Sequence, residues 1–227
     1  MLNFLRRKPQ VKIDPALLAL RARLFAMEPL EALVSGLDAE SRQAPPWSLF
    51  VSAQQKAKSG QKEAAIADLQ QVITAPGLER RVYLLAWHNL RALGVQPPDS
   101  QAGQVRGMVI ETPVEDGLDV LAAYDDHTAR YFNFSGSMIL WDVPVPEINK
   151  LIDNLLASGK PILKRAQPWN KPEPGPPPPG FTRISLLTDS GLHFGQAPVK
   201  IFTRDALAGP PLQHGSALMK ALTKRAI

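Results

Sequence analysis

The chain has 227 residues, of which 44% are hydrophobic, and a net charge of +5 from 26 basic and 21 acidic side chains. It contains no cysteine, which excludes a disulfide framework, a thiolate zinc site, an iron–sulfur cluster and a cysteine nucleophile. The mean hydropathy is −0.12, and no apolar run approaches the about 18 residues of a membrane-spanning helix. We therefore expect a globular protein of one or two domains.

The N-terminal segment is basic, because four positive charges precede the first acidic residue, Asp14. A run of this kind can contact nucleic acid or anionic lipid, but the simpler interpretation is a solvated tail. Nucleic acid is not favoured, because aromatic and basic side chains are not interleaved on any predicted strand. The apolar residues 1–5 precede the charges, whereas a secretory signal has the reverse order, so we expect a cytoplasmic protein. The four basic residues are Arg6, Arg7, Lys8 and Lys12.

Residues 14–94 are predicted to form a helical domain. Asp14-Pro15 is typical of a helix start, since aspartate caps the first N–H groups and proline fits the first helical position. The last helix of this domain is expected to end at Gly94, a residue that suits a helix C-terminus. Apolar residues recur with helical spacing in three further segments. In chain order, these segments are Pro46–Lys58, 61–75 and Glu79–Leu93.

A family pattern lies within residues 47–76. Gly60 stands five residues before Ala65, Leu69 follows four residues later, Val72 three later, and Pro76 comes after the helix. This spacing resembles a single tetratricopeptide repeat, and the residues as far as 94 resemble part of a second unit. The resemblance implies two antiparallel helices in close contact and a surface that binds protein.

Residues 95–104 are predicted to be a linker, because the two prolines that follow Val95-Gln96 do not continue a helix. Residues 105–227 are predicted to form an α+β domain that begins with short strands. The connections between these strands are too short for crossovers, so the strands should pair as an antiparallel meander. The four predicted strands are Val105–Thr112, Gly117–Asp125, Ala129–Ser135 and Ser137–Val143.

The rest of this domain is predicted to contain a helix, a hairpin and a last helix. The helix covers Pro144–Ser158 and is closed by Gly159. Seven prolines in 167–180 predict an exposed, extended loop. The full order predicts a fold that is α and then α+β, with two helices against an antiparallel sheet. The later elements are the strands Phe181–Thr188 and Leu192–Gln196, a further strand at Val199–Thr203, a loop at Gly209-Pro210-Pro211, and a helix capped by Ser216.

Four polar side chains surround the predicted 125–137 hairpin and are the candidate ligand site. They could line a small-ligand site, although Asp125 and its neighbours are also typical of tight turns. The histidines lack zinc-type spacing, and no phosphate-binding glycine motif or nucleophile elbow occurs. We therefore expect no catalytic residue, cofactor or metal. The four side chains are those of Asp125, His127, Arg130 and Asn133.

Three aromatic residues of the helical domain are the candidate partner-binding residues: Trp47, Tyr83 and Trp87. Aromatic side chains are enriched at binding hot spots, although at helical spacing they more often belong to a core. The leading hypothesis is a non-catalytic cytoplasmic adaptor or assembly protein. Its helical half would bind a protein partner, and its α+β half would bind a second partner or self-associate. The alternative is a small-ligand sensor or enzyme with its site at the 125–137 hairpin, and weak membrane attachment through the basic tail is a third hypothesis.

Overall fold

The structure is a computed structural model that describes residues 13–114 and 117–225. The basic N-terminal run, on which the hypothesis of membrane attachment depends, lies outside the described residues. Among the described helices, none has both the length and the apolar character needed to cross a bilayer.

The first five helices belong to the predicted helical domain. The first begins where the Asp14 side chain accepts a hydrogen bond from the Ala16 N–H at 2.8 Å, with Pro15 at the first helical position. The second helix and a short 3-10 turn at Ser41–Gln43 were not predicted, because both are too short to show a helical period. The bounds are α1 Pro15–Leu24, α2 Leu30–Ser35, α3 Trp47–Lys58, α4 Lys62–Thr74 and α5 Arg80–Ala92.

Helices α3 and α4 pack against each other. The turn that joins them contains Gly60, whose φ is +78°. Ala65, Leu69 and Val72 are fully buried on the inner face of α4. These contacts explain the spacing of small and apolar residues in this segment. Membership of the tetratricopeptide family stays a prediction.

Seven strands form one antiparallel sheet in the order β4-β3-β2-β1-β6-β7-β5. The predicted meander is confirmed, and the later hairpin adds to the free side of the first strand. The predicted proline-rich loop contributes a two-residue edge strand. The bounds are β1 Val105–Val114, β2 Gly117–Tyr124, β3 Ala129–Phe132, β4 Met138–Trp141, β5 Pro168–Trp169, β6 Phe181–Thr188 and β7 Gly191–Pro198.

The described residues contain four further helices: α6 Asp99–Ala102, which precedes β1, and α7 Pro146–Leu163, α8 Val199–Phe202 and α9 Gly209–Arg225. The predicted linker 95–104 therefore contains a helical turn.

The predicted end of α7 at Gly159 is wrong, because this glycine lies inside the helix. A Cβ there would come within 2.7 Å of both Leu186 Cδ2 and Met108 Cε. The glycine is needed for a close approach of α7 to the sheet rather than for a helix end.

Two predictions near the C-terminus are also wrong. Residues 199–202 are helical, because β6 begins at Phe181 and leaves no strand beyond Pro198 for them to pair with. Gly209-Pro210-Pro211 is the first turn of α9 rather than a loop, since proline is tolerated where N–H groups need no helical partner. Ser216 consequently lies inside α9 and does not cap it.

Helices cover both faces of the sheet, so the described part of the chain has three layers. Apolar residues of α1 to α5 share one core with Val109 and Val120. Met108 and Ile110, which flank Val109 along β1, face a second core formed with α7 and α9. The predicted fold class, α and then α+β, is confirmed.

Candidate binding site

The first turn of α5 is attached to the hairpin turns of the sheet by charged side chains. The Arg80 guanidinium donates to the Asp125 carboxylate, and the Arg80 backbone N–H donates to Asp126. The Glu79 carboxylate accepts hydrogen bonds from Arg81 and, at 3.1 Å, from Arg130. Burial raises the pKa of the Asp125 carboxyl above its ordinary value, although nearby arginines oppose this shift.

Further along α5, Tyr83 contacts a second hairpin turn. Its hydroxyl donates to Asp189 at 3.0 Å, and the Arg106 guanidinium donates to both oxygens of the same carboxylate. The Arg80 guanidinium carbon lies 4.6 Å from the centroid of the Tyr83 ring, a cation–π distance. Burial raises the pKa of the Tyr83 hydroxyl and lowers the pKa of the Arg91 guanidinium to about 10. These groups hold α5 on the sheet.

A second charged cluster lies under the proline-rich loop. Arg21 of α1 pairs with Glu111 of β1 and with Glu173 of the loop, and it also donates to the Pro174 carbonyl at 2.8 Å. Arg183 of β6 lies 3.6 Å from the other Glu111 oxygen. Burial raises the pKa of the Glu173 carboxyl, although Arg21 opposes this shift. The loop is therefore held to the helical layer and to the sheet.

The candidate binding site is a cavity of about 310 Å³ in the helical layer, which we call the Trp47 cavity. Its apolar wall comes from buried side chains of the α1–α2 segment and of α5, together with the half-buried Trp47 ring. Two cations and two carboxylates stand at its polar side. The apolar lining is Ala26, Ala32, Leu33, Leu37, Trp47, Val82 and Leu85, and the charged lining is Arg23, Glu28, Glu79 and Arg81.

Some of the charged side chains that line the cavity already form ion pairs, and others do not. Glu79 and Arg81 are paired with each other, and Glu79 is also held by Arg130 of the sheet. Arg23 is exposed and forms no ion pair with any residue that the structure describes. One cation is thus available to a ligand that approaches the Trp47 ring.

The three candidate partner-binding residues do not lie together. Trp47 borders the cavity, whereas Tyr83 is used in the contact with Asp189. Trp87 is only 4% exposed, and its buried Nε1 has no hydrogen-bond acceptor among the described residues. Of the three, Trp47 alone faces space that a ligand could occupy.

The four candidate residues of the 125–137 hairpin also have separate surroundings. Asp125 and Arg130 contact the first turn of α5, on the helical side of the sheet. His127, with φ +64°, contacts Asp153 of α7 at 3.0 Å on the opposite side. Asn133 accepts hydrogen bonds from the N–H groups of Ser135 and Ser137 and so closes the β3–β4 turn. The structure brings together Asp125 and Arg130 around α5 but does not gather the four.

Within residues 13–114 and 117–225, no three histidine, aspartate or glutamate side chains come together as metal ligands. A second cavity, of about 260 Å³, lies between α7, the β6–β7 hairpin and the segment before α9, and its lining is mainly apolar. Neither cavity carries a nucleophile beside a base. What both offer is binding by shape and apolar contact.

Sequence reasoning missed the Trp47 cavity itself. More than half of its lining residues lie between positions 23 and 37, from the end of α1 to just after α2. In the α1–α2 connection Ala26 has φ +50°, a conformation that the sequence does not indicate because the residue is not glycine. The cluster of charges at Glu79, Arg80 and Arg81 was the one signal available. These three residues lie where a loop ends and α5 begins. From this position Glu79 and Arg81 line the cavity, whereas Arg80 contacts the hairpin turn of the sheet.

No protein-family model, no curated protein and no solved structure matches the chain. The geometry of the Trp47 cavity and the chemistry of the side chains around it are therefore the features that bear on function.

Proposed function

We propose that the chain is a non-catalytic protein-binding adaptor whose Trp47 cavity receives an apolar side chain of a partner protein. The observation that carries this proposal is the cavity of about 310 Å³ between the α1–α2 segment and α5, with Trp47 on its wall. That volume suits one large apolar side chain or a very small ligand. The tetratricopeptide-like spacing of the hairpin that begins at Trp47 supports a protein partner.

The composition of the cavity favours a protein segment over a metabolite. Tryptophan and arginine are the residues most enriched at protein-binding hot spots, and here Trp47 and Arg23 line the same opening. A metabolite site usually has several polar groups that converge on one point. Here Glu79 and Arg81 are already paired with each other, which leaves Arg23 and the half-buried Glu28 without an ion pair among the described residues. Of these two, the exposed Arg23 would recognise a carboxylate next to the apolar anchor. We therefore propose a partner segment that carries an apolar residue beside an acidic one.

The α+β half supplies a contact of its own in this proposal, so that the chain joins two proteins. We propose a cytoplasmic location, which the lack of cysteine favours.

The test uses the full-length chain with the cavity filled. Ala32 is exposed and lines the cavity, so Ala32→Trp should block it without disturbing the core. Ala92 is exposed at the end of α5 and away from the cavity, so Ala92→Trp is the matched control. Partners captured by the wild-type chain would be identified, purified and titrated against all three proteins by calorimetry.

We expect the dissociation constant to rise at least tenfold for Ala32→Trp and to stay unchanged for Ala92→Trp. Arg23→Glu should weaken the same complex and make it less sensitive to salt. Equal affinity for all three proteins would overturn the proposal. So would a metabolite that stabilises the wild-type chain in a thermal-shift screen and loses this effect in Ala32→Trp, because the cavity would then be a small-molecule site.

A further inference from the structure

The exposed apolar side chains of the described residues are concentrated at one edge of the sheet. Six large hydrophobic residues are exposed, and four of them lie between positions 134 and 143, on β4 or beside it. Leu140 is 56% exposed and Met138 is 47% exposed. Both share a face with Phe132 of β3, which is buried against the helical layer, but on this face Met138 and Leu140 themselves stay exposed. The four residues are Phe134, Met138, Leu140 and Val143.

The two edges of the sheet differ in how they are protected. At the far edge, β5 has two residues, begins with Pro168, and is followed by the proline-rich loop. Short length and proline are the usual means by which an edge avoids pairing with another strand. Strand β4 has four residues and contains neither proline nor charge. This edge is therefore open to a further strand.

Hydrogen bonding within the sheet shows which backbone groups of β4 face outward. The Asn133 N–H donates to the Ser137 carbonyl at 3.0 Å, so this opposite pair is a hydrogen-bonded one. Antiparallel pairs alternate, so Ile139 and Trp141 also bond to β3, whereas Met138 and Leu140 direct their N–H and C=O groups away from it. The alternation on the β2 side agrees, because the Tyr124 N–H donates to the Thr128 carbonyl there.

We propose that β4 pairs antiparallel with β4 of a second copy of this chain, which extends the sheet across a twofold axis. In the register that places Met138 opposite Leu140 of the second copy, Ile139 lies on the axis and all outward N–H and C=O groups of both residues are paired. The apolar side chains of Met138 and Leu140 then meet their counterparts on one face. An isologous interface of this kind closes on itself and yields a dimer.

The lack of charged side chains in β4 favours a second copy of this chain as the partner over an unrelated strand. In self-pairing, each charged residue near the axis approaches its own duplicate, so like charges would oppose the contact. Residues 131–141 contain no charged side chain. In the proposed register Asp142 lies opposite Gly136 of the second copy rather than opposite another carboxylate. Pairing with a strand of a different protein would not require this segment to lack charge, because its charges could face opposite charges on the partner.

This inference rests on the proposed contact surface of the α+β half and is independent of the Trp47 cavity. A four-residue edge is small for a protein interface, so we expect weak, concentration-dependent association. Sedimentation velocity of the full-length chain should therefore be recorded from about 1 µM to about 1 mM, the range that a small interface covers. The wild-type chain should shift from monomer toward dimer across this range.

Two variants of one residue separate side-chain from backbone contributions. Leu140→Lys adds a charge that meets its duplicate near the axis, and Leu140→Pro removes one outward N–H while leaving the β3 hydrogen bonds in place. Both should raise the dimer dissociation constant at least tenfold. Ile201→Lys is the matched control, because Ile201 is 60% exposed and far from β4 in the chain. It should dimerise as the wild type does.

Backbone hydrogen exchange provides a second measurement that does not depend on variants. The N–H groups of Met138 and Leu140 should exchange more slowly at high protein concentration than at low concentration, while other edge positions such as Trp169 should not change. A chain that stays monomeric throughout would overturn the proposal. So would a dimer that Ile201→Lys disrupts as strongly as Leu140→Lys, or one whose formation leaves the exchange of Met138 and Leu140 unaltered. Loss of cavity binding with dimerisation intact would overturn only the Trp47 cavity proposal.

Discussion

Arg21 of α1 and Glu111 of β1 form an ion pair whose side chains are 2% and 0% exposed. Both charges are therefore buried against the central strand of the sheet. Among the described residues, Arg21 is the one cation within hydrogen-bond distance of Glu111, and Arg183 lies 3.6 Å from its other oxygen. A pair of this kind ties the helical layer to the sheet, because neither charge can be left alone at that depth.

We expect Arg21→Met to lower the free energy of unfolding by about 3–5 kcal/mol, since it removes the hydrogen-bonded partner of the buried Glu111 carboxylate and leaves only Arg183, 3.6 Å away, as a cation. Urea unfolding followed by tryptophan fluorescence measures the change. The double variant Arg21→Met/Glu111→Gln should lose less than the sum of the two single variants, because both singles remove one interaction. Additive losses would contradict the role assigned to the pair.

Gly107 of β1 lies opposite Tyr124 of β2, and a Cβ at Gly107 would come within 2.7 Å of Tyr124 Cδ1. The Tyr124 ring is fully buried, and its hydroxyl donates to the Leu24 carbonyl of α1 at 2.7 Å. Gly107→Ala should displace this ring and cost about 1–3 kcal/mol of unfolding free energy. Gly103→Ala, where nothing lies within 4 Å of the added carbon, should leave the thermal midpoint unchanged. Equal midpoints for the two variants would show that the ring moves freely.

His88 of α5 should make the protein less stable in mild acid. Burial lowers the pKa of its imidazole from 6.5 to about 4, and the nearby Arg91 adds to this shift. Between these two values the unfolded chain binds a proton that the folded chain does not, so the free energy of unfolding falls as the pH is lowered from 6.5 to about 4. His88→Gln should flatten this dependence in urea titrations, and the imidazole should titrate by NMR near 4. A midpoint near 6.5 would refute the prediction.

Asp68 of α4 accepts hydrogen bonds from Lys56 of α3 at 2.8 and 2.7 Å, across the helical hairpin. Its side chain is 8% exposed, so Asp68→Asn should cost about 1–3 kcal/mol by weakening a largely buried, charge-assisted contact. The exposed pair of Lys58 with Glu31 provides the control. Glu31→Gln should not change the urea midpoint measurably, because solvent screens that pair. If both variants behaved alike, burial would not be what gives the Asp68 contact its strength.

Local signals predicted most elements correctly. Asp14-Pro15 marked the start of α1, the apolar face of 61–75 predicted α4, and the short turns after Thr112, Asp125 and Ser135 predicted the antiparallel meander. Each of these signals depends on residues within one or two turns of each other. That is why they could be interpreted without knowledge of the rest of the chain.

The errors arose where distant residues decide the local structure. Gly159 lies inside α7, and it is a glycine because Met108 and Leu186 lie too close for a larger residue. The residues after Pro198 turn helical because β6 offers them no partner. The prediction of the partner-binding residues failed for the same reason. Tyr83 and Trp87 could bind a partner only if their face of α5 were exposed to solvent. In the structure this face packs against the sheet, where Tyr83 donates to Asp189 and Trp87 is buried.

Arg130 contacts both of the surfaces to which function has been assigned. Its guanidinium donates to Glu79 at the Trp47 cavity, at 3.1 Å, and to the carbonyl of Trp141 in β4, at 2.9 Å. A ligand that moved Glu79 would alter the setting of the edge strand, and by thermodynamic reciprocity dimerisation would alter affinity at the cavity by the same factor. One guanidinium thus joins the proposed binding cavity to the proposed dimer edge.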